Sequence, residues 1–129
     1  MASLGQHYLF ELYGCNTETL DDLDTIRQIM LSAAKKSGAT ILNDCLHKFS
    51  PQGVSGVVII AESHLAIHTW PENGYAGVDF FTCGTTVDPL IAYEYIKEKL
   101  ESEYSTHTKL DRGIIEKIDN ASGGIKSKS

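Results

Sequence analysis

Residues 61–83 read Ala61-Glu62-Ser63-His64-Leu65-Ala66-Ile67-His68-Thr69-Trp70-Pro71-Glu72-Asn73-Gly74-Tyr75-Ala76-Gly77-Val78-Asp79-Phe80-Phe81-Thr82-Cys83, and this stretch decides the fold. His64–Trp70 and Tyr75–Thr82 have the short, apolar and aromatic character of strands. Pro71-Glu72-Asn73-Gly74 between them is a strong turn signal. In the simplest hairpin register Trp70 faces Tyr75, and Ser63 faces Thr82, one residue from Cys83. A serine and a thiol are therefore expected side by side within one chain.

Upstream, Val54–Ala61 is short and nearly all apolar, which suits a central buried strand. A tight turn near Glu62 would return the chain into His64–Trp70. Ser55 then falls beside His68 and Thr69, a second neighbouring pair with Glu72 a few residues beyond.

The two pairs do not meet within one chain. Ser63 and His68 are five residues apart on one extended strand, about 16 Å at roughly 3.3 Å per residue. Proton transfer needs about 3 Å or one bridging water. If His68 acts on Ser63, it arrives from another subunit. A two-fold dimer would set Ser63 and Cys83 of one copy against Ser55 and His68 of the other, making two equivalent sites.

The rest of the chain supplies the layers. His7–Tyr13 reads as a first strand. Asn16 and Thr17 cap a helix whose Leu20, Leu23, Ile26, Met30 and Ala33 recur at helical spacing up to Gly38. Ala39–Phe49 reads as a strand, closed by a Pro51-Gln52-Gly53 turn. Asp88-Pro89 opens a second helix with Tyr93, Ile96 and Leu100 on one face. Tyr104–Leu110 is the last strand. The expected order is β-α-β-β-β-α-β, an α+β two-layer sandwich with a mostly antiparallel sheet and helices on one face. Its sheets are expected to associate in a dimer. One domain spans residues 1–129, with a flexible tail from about 113 to 129.

Composition narrows the function classes. The chain has 129 residues and a formal net charge of −6. Such a balance, with no basic stripe, argues against nucleic acid as a partner. No apolar run approaches the roughly 20 residues a membrane span needs. The start lacks the basic and apolar regions of a signal peptide, so a cytoplasmic protein is expected. Cys15, Cys45 and Cys83 form neither a disulfide framework nor a zinc pattern. His7, His47, His64 and His107 read as ordinary histidines. His64 and His68 share a strand face without a third ligand at matching spacing, so no metal site is expected.

Four segments also carry a family resemblance. Glu62-Ser63-His64-Leu65, His68-Thr69-Trp70-Pro71-Glu72, Phe81-Thr82-Cys83-Gly84 and Gly53-Val54-Ser55-Gly56 resemble, in order and spacing, motifs of the small prokaryotic S-adenosylmethionine decarboxylase proenzymes. The looser match runs from about Leu4 to Arg112. The resemblance implies autocatalytic cleavage of the Glu62–Ser63 bond, leaving a β chain of residues 1–62 and an α chain of residues 63–129. Ser63 would become a pyruvoyl cofactor that forms a Schiff base with the substrate amine. His68 is the expected proton acceptor in processing. Ser55 is the expected hydrogen-bond donor to the oxyanion, and Cys83 the proton donor in decarboxylation. Glu72 on the ribose hydroxyls and Phe49 on the adenine would bind the substrate. The implied product is the aminopropyl donor for spermidine, made by a homodimer with its sites across the interface.

Two other readings stay open on the sequence. One is a pyruvoyl decarboxylase of arginine or ornithine on the same scaffold, whose maturation would be identical. The other is a non-cleaving dimeric binding or regulatory protein. Ser63, His68 and Cys83 together argue against the second.

Overall fold

A computed structural model describes residues 2–122. The strands are β1 (Ser3–Tyr13), β2 (Ile41–Lys48), β3 (Val54–Ile60), β4 (Ser63–Trp70), β5 (Tyr75–Thr82) and β6 (Tyr104–Ile114). The helices are α1 (Thr17–Leu20), α2 (Leu23–Lys36), α3 (Pro89–Lys99) and α4 (Ile115–Ser122). A short 3-10 turn, Pro71–Asn73, joins β4 to β5. The strands form one six-stranded sheet in the order β2-β3-β4-β5-β1-β6, with every neighbouring pair antiparallel.

The α+β sandwich with helices against one sheet face is as expected, and the register of its central hairpin is too. Trp70 pairs with Tyr75 and Ser63 with Thr82. Ser55 pairs with His68 across β3 and β4. The hairpin closes because Pro71 starts the turn and Gly74 takes a left-handed φ of 59°, which glycine tolerates.

Three expectations are corrected. The sheet has six strands, one at each of the six segments read from the sequence, so the order β-α-β-β-β-α-β is one strand short. The first helix is two helices. Asn16 caps α1 by accepting from the Thr19 N–H, and Asp22 caps α2 by accepting from the Thr25 N–H. A capping aspartate offers the backbone an alternative to continued helix, so the chain restarts there. The tail expected from about residue 113 carries structure, since β6 runs to Ile114 and α4 follows. Residues 123–129 of that expected tail lie outside the described residues.

The core lies between the helices and one sheet face. Alternate residues of the strands point into it: Phe10 and Leu12, Val54 and Val58, Leu65 and Ile67, Val78 and Phe80. α2 contributes Ile26, Met30, Ala33 and Ala34, and α3 contributes Ala92 and Ile96. By the same alternation the other face carries Ser55, Val57 and Ile59 on β3, His64, Ala66, His68 and Trp70 on β4, and Asp79 and Phe81 on β5. On that face Ile59 and Trp70 remain 44% and 43% exposed. Among the described residues no helix is long and apolar enough to cross a membrane.

Candidate active site

The turn from β3 to β4 brings Glu62 and Ser63 against the end of β5. The carbonyl of Glu62 accepts two hydrogen bonds from one residue. The backbone N–H of Cys83 donates at 3.0 Å and its thiol at 3.2 Å. The Glu62 carboxylate is held as well, its Oε1 accepting from the Thr40 N–H at 3.2 Å. Ser63 sits at a φ of 149°, a region that side-chain-bearing residues rarely occupy. Such a conformation costs on the order of 1–3 kcal/mol and persists only where its surroundings enforce it. The strained residue, the adjacent carbonyl and two donors on that carbonyl thus coincide at one peptide bond.

The opposite end of the same strands carries the second cluster. Ser55 Oγ lies 2.8 Å from His68 Nδ1. His47 pairs with Ser55 in the next strand, and Phe49 stands beside it with its ring 4.6 Å from the His47 ring, edge to face. Phe49 is 45% exposed. Glu72 is exposed in the 3-10 turn just beyond β4. Phe49, Ser55, His68 and Glu72 therefore gather at one end of β2, β3 and β4. Glu62, Ser63 and Cys83 gather at the other.

Ser55 is not on the Glu62 carbonyl within the chain. Its hydroxyl engages His68, and Cys83 occupies the carbonyl instead. The reasoning from sequence set Cys83 beside Ser63 but missed this contact. The hairpin register could have found it, since Ser63 opposite Thr82 puts Glu62 opposite Cys83.

Around the first cluster lies a group of rings and charges. The His64 ring stacks on Phe81, with centroids 5.9 Å apart and planes 12° apart. His7 Nε2 approaches Asp79 Oδ1 at 3.3 Å. Burial pushes the His64 pKa down, the neighbouring His7 pushes it further, and Asp79 opposes both.

The arrangement suits acyl chemistry at one backbone bond, and the comparisons with known proteins agree on the family. The sequence profile described as S-adenosylmethionine decarboxylase matches residues 6–113. The chain belongs to the S-adenosylmethionine decarboxylase family. Curated relatives in this decarboxylase family include the S-adenosylmethionine decarboxylase proenzyme of Moorella thermoacetica, 55% identical over 116 residues, covering 90% of this chain and 93% of that protein. The proenzyme of Clostridium tetani is 56% identical over 116 residues, covering 90% and 92%. Among solved structures, the adenosylmethionine decarboxylase from Aquifex aeolicus VF5 superposes with a TM-score of 0.82 at 33% identity, covering 100% of this chain and 98% of that one. This is a family of enzymes, and the α+β sandwich is its fold.

Proposed function

We propose that this chain cuts itself between Glu62 and Ser63, converts Ser63 to a pyruvoyl group, and decarboxylates S-adenosylmethionine to the aminopropyl donor for spermidine. The observation that carries the reading is the Glu62 carbonyl, held by both Cys83 donors beside the strained Ser63.

Processing needs only the chain's own groups. Ser63 Oγ attacks the Glu62 carbonyl carbon, and charge builds on the oxygen that Cys83 already holds. One such preset donor contributes about 2.7–4 kcal/mol to a developing oxyanion. Collapse breaks the peptide C–N bond, leaving an ester on Ser63 and a free amine. The strain at Ser63 is relieved as that bond breaks. A base then removes the Ser63 α-proton, and the Glu62 carboxylate departs with the ester oxygen. Tautomerisation and hydrolysis of the remaining group release ammonia.

His68 is the base in this reading, and it comes from a second copy. It lies about 16 Å along the strand from Ser63 of its own chain. A face-to-face homodimer would lay the Phe49, Ser55, His68 and Glu72 end of one sheet over the Glu62, Ser63 and Cys83 end of the other. The uncovered sheet face with its exposed Ile59 and Trp70 supports that pairing.

A pyruvoyl group on residue 63 supplies an electron sink for the pair left when carbon dioxide departs. Cys83 stands next to that position and returns the proton to the substrate carbon. Glu72 accepts from the ribose hydroxyls, and Phe49 offers a ring to the adenine.

The deciding test is the intact mass of the purified chain under denaturing conditions. Two fragments meeting at Glu62–Ser63 are expected, the C-terminal one lighter than hydrolysis alone predicts by one ammonia. A single uncut mass throughout a timed incubation would refute self-processing. Carbon dioxide release from arginine or ornithine, but not from S-adenosylmethionine, would refute the substrate.

A further inference from the structure

Thr82 is 2% exposed, and its Oγ1 is buried without a hydrogen-bond partner among the described residues. Leaving a buried hydroxyl unpaired is costly, and threonine could be replaced there by valine of nearly the same shape. The neighbouring buried threonine shows the ordinary outcome: Thr69 Oγ1 donates to the Leu20 carbonyl at 2.8 Å and accepts from the Val54 N–H at 2.9 Å. Thr82 is thus the exception on this sheet face.

Its position suggests what the hydroxyl is for. Thr82 lies directly across from Ser63 in the β4–β5 ladder. The adjacent Cys83 N–H bonds the Glu62 carbonyl, so Ser63 and Thr82 form the non-hydrogen-bonded pair, in which side chains come closest.

We propose that Thr82 is a positioning residue for chain cleavage. Its hydroxyl pairs with Ser63 Oγ as that group leaves its resting place, and orients it toward the Glu62 carbonyl for the acyl shift. The inference rests on the maturation reading above.

The test compares Thr82→Val and Thr82→Ser with the natural chain. Cleavage is followed by mass with and without hydroxylamine, which intercepts the ester once it forms. Thermal melting is compared in the Ser63→Ala background, where no cut is possible. Thr82→Val should melt no lower than its parent yet cleave about tenfold more slowly, with or without hydroxylamine. Thr82→Ser should restore most of the rate. Cleavage of Thr82→Val at the natural rate would overturn the proposal. So would recovery of its rate in hydroxylamine, which would place Thr82 after the acyl shift. A lower melting temperature for the valine chain would make the hydroxyl structural and also overturn it. An uncut natural chain would instead sink the maturation reading itself.

Discussion

Cys83 holds the carbonyl of Glu62 at both of its donors, the backbone N–H and the thiol. The residue that follows β5 is thereby tied to the bond that precedes β4. The thiol can be removed by mutation while the backbone donor stays, which separates the two contributions.

Cys83→Ala should slow chain cleavage by about 100-fold, and Cys83→Ser by less, since a hydroxyl can still donate. Timed mass measurement of the freshly purified chain reads both rates. Equal rates for all three chains would mean that the thiol adds nothing to the cut.

A shared site predicts complementation. Ser63→Ala and His68→Ala chains, each expressed alone, should stay intact or nearly so. Co-expressed, they form mixed dimers in which one site has both Ser63 and His68. Only the His68→Ala chain should then be cut, up to roughly half of it at random pairing. If His68→Ala cleaves alone at the natural rate, His68 is not the base. If neither chain is cut in the mixture, the base and the serine do not meet across an interface.

The pH dependence of stability should carry a His64 component. Burial beside His7 lowers the folded-state pKa of His64 below the ordinary value near 6.5. The unfolded chain then binds a proton more readily than the folded one. The folded state keeps its full margin above about pH 6.5 and loses stability as pH falls through the window below. His64→Phe, which preserves a ring against Phe81, should flatten that part of the curve when melting is followed in the uncleavable Ser63→Ala chain. An unchanged slope would assign the loss to other groups.

The restart of the helix at Asp22 is testable by stability alone. Asp22→Ala removes the acceptor of the Thr25 N–H and should cost about 1 kcal/mol in a denaturant titration, again on the uncut chain. Asp22→Ser should recover much of it. No difference between alanine and serine would show that the cap contributes nothing.

The legible parts of this protein are those where a local rule has no competitor. The Pro71–Gly74 turn and the strands around it specify one register, and that register put Ser63 beside Cys83 and Ser55 beside His68. The break between α1 and α2 was hidden because Leu20 and Leu23 continue one helical stripe across it. Asp22 was the signal that outranked them. The extension of β6 to Ile114 was not readable, because nearly all of that strand is exposed and shows no alternation. The positive φ of Ser63 had no sequence signature at all, since serine gives no warning of a backbone that glycine would hold more easily.

The strand order has a mechanical consequence for the cut. Residues 1–62 own β1, β2 and β3, whereas residues 63–129 own β4, β5 and β6. Yet β1 lies between β5 and β6, and β3 lies against β4. The two products of the proposed cut would be woven through each other like interlaced fingers. Separating them would require unzipping the β3–β4 seam and both flanks of β1 at once. Severing the backbone there would therefore change the covalent inventory and create a new chain end while the weave itself kept the halves as one body.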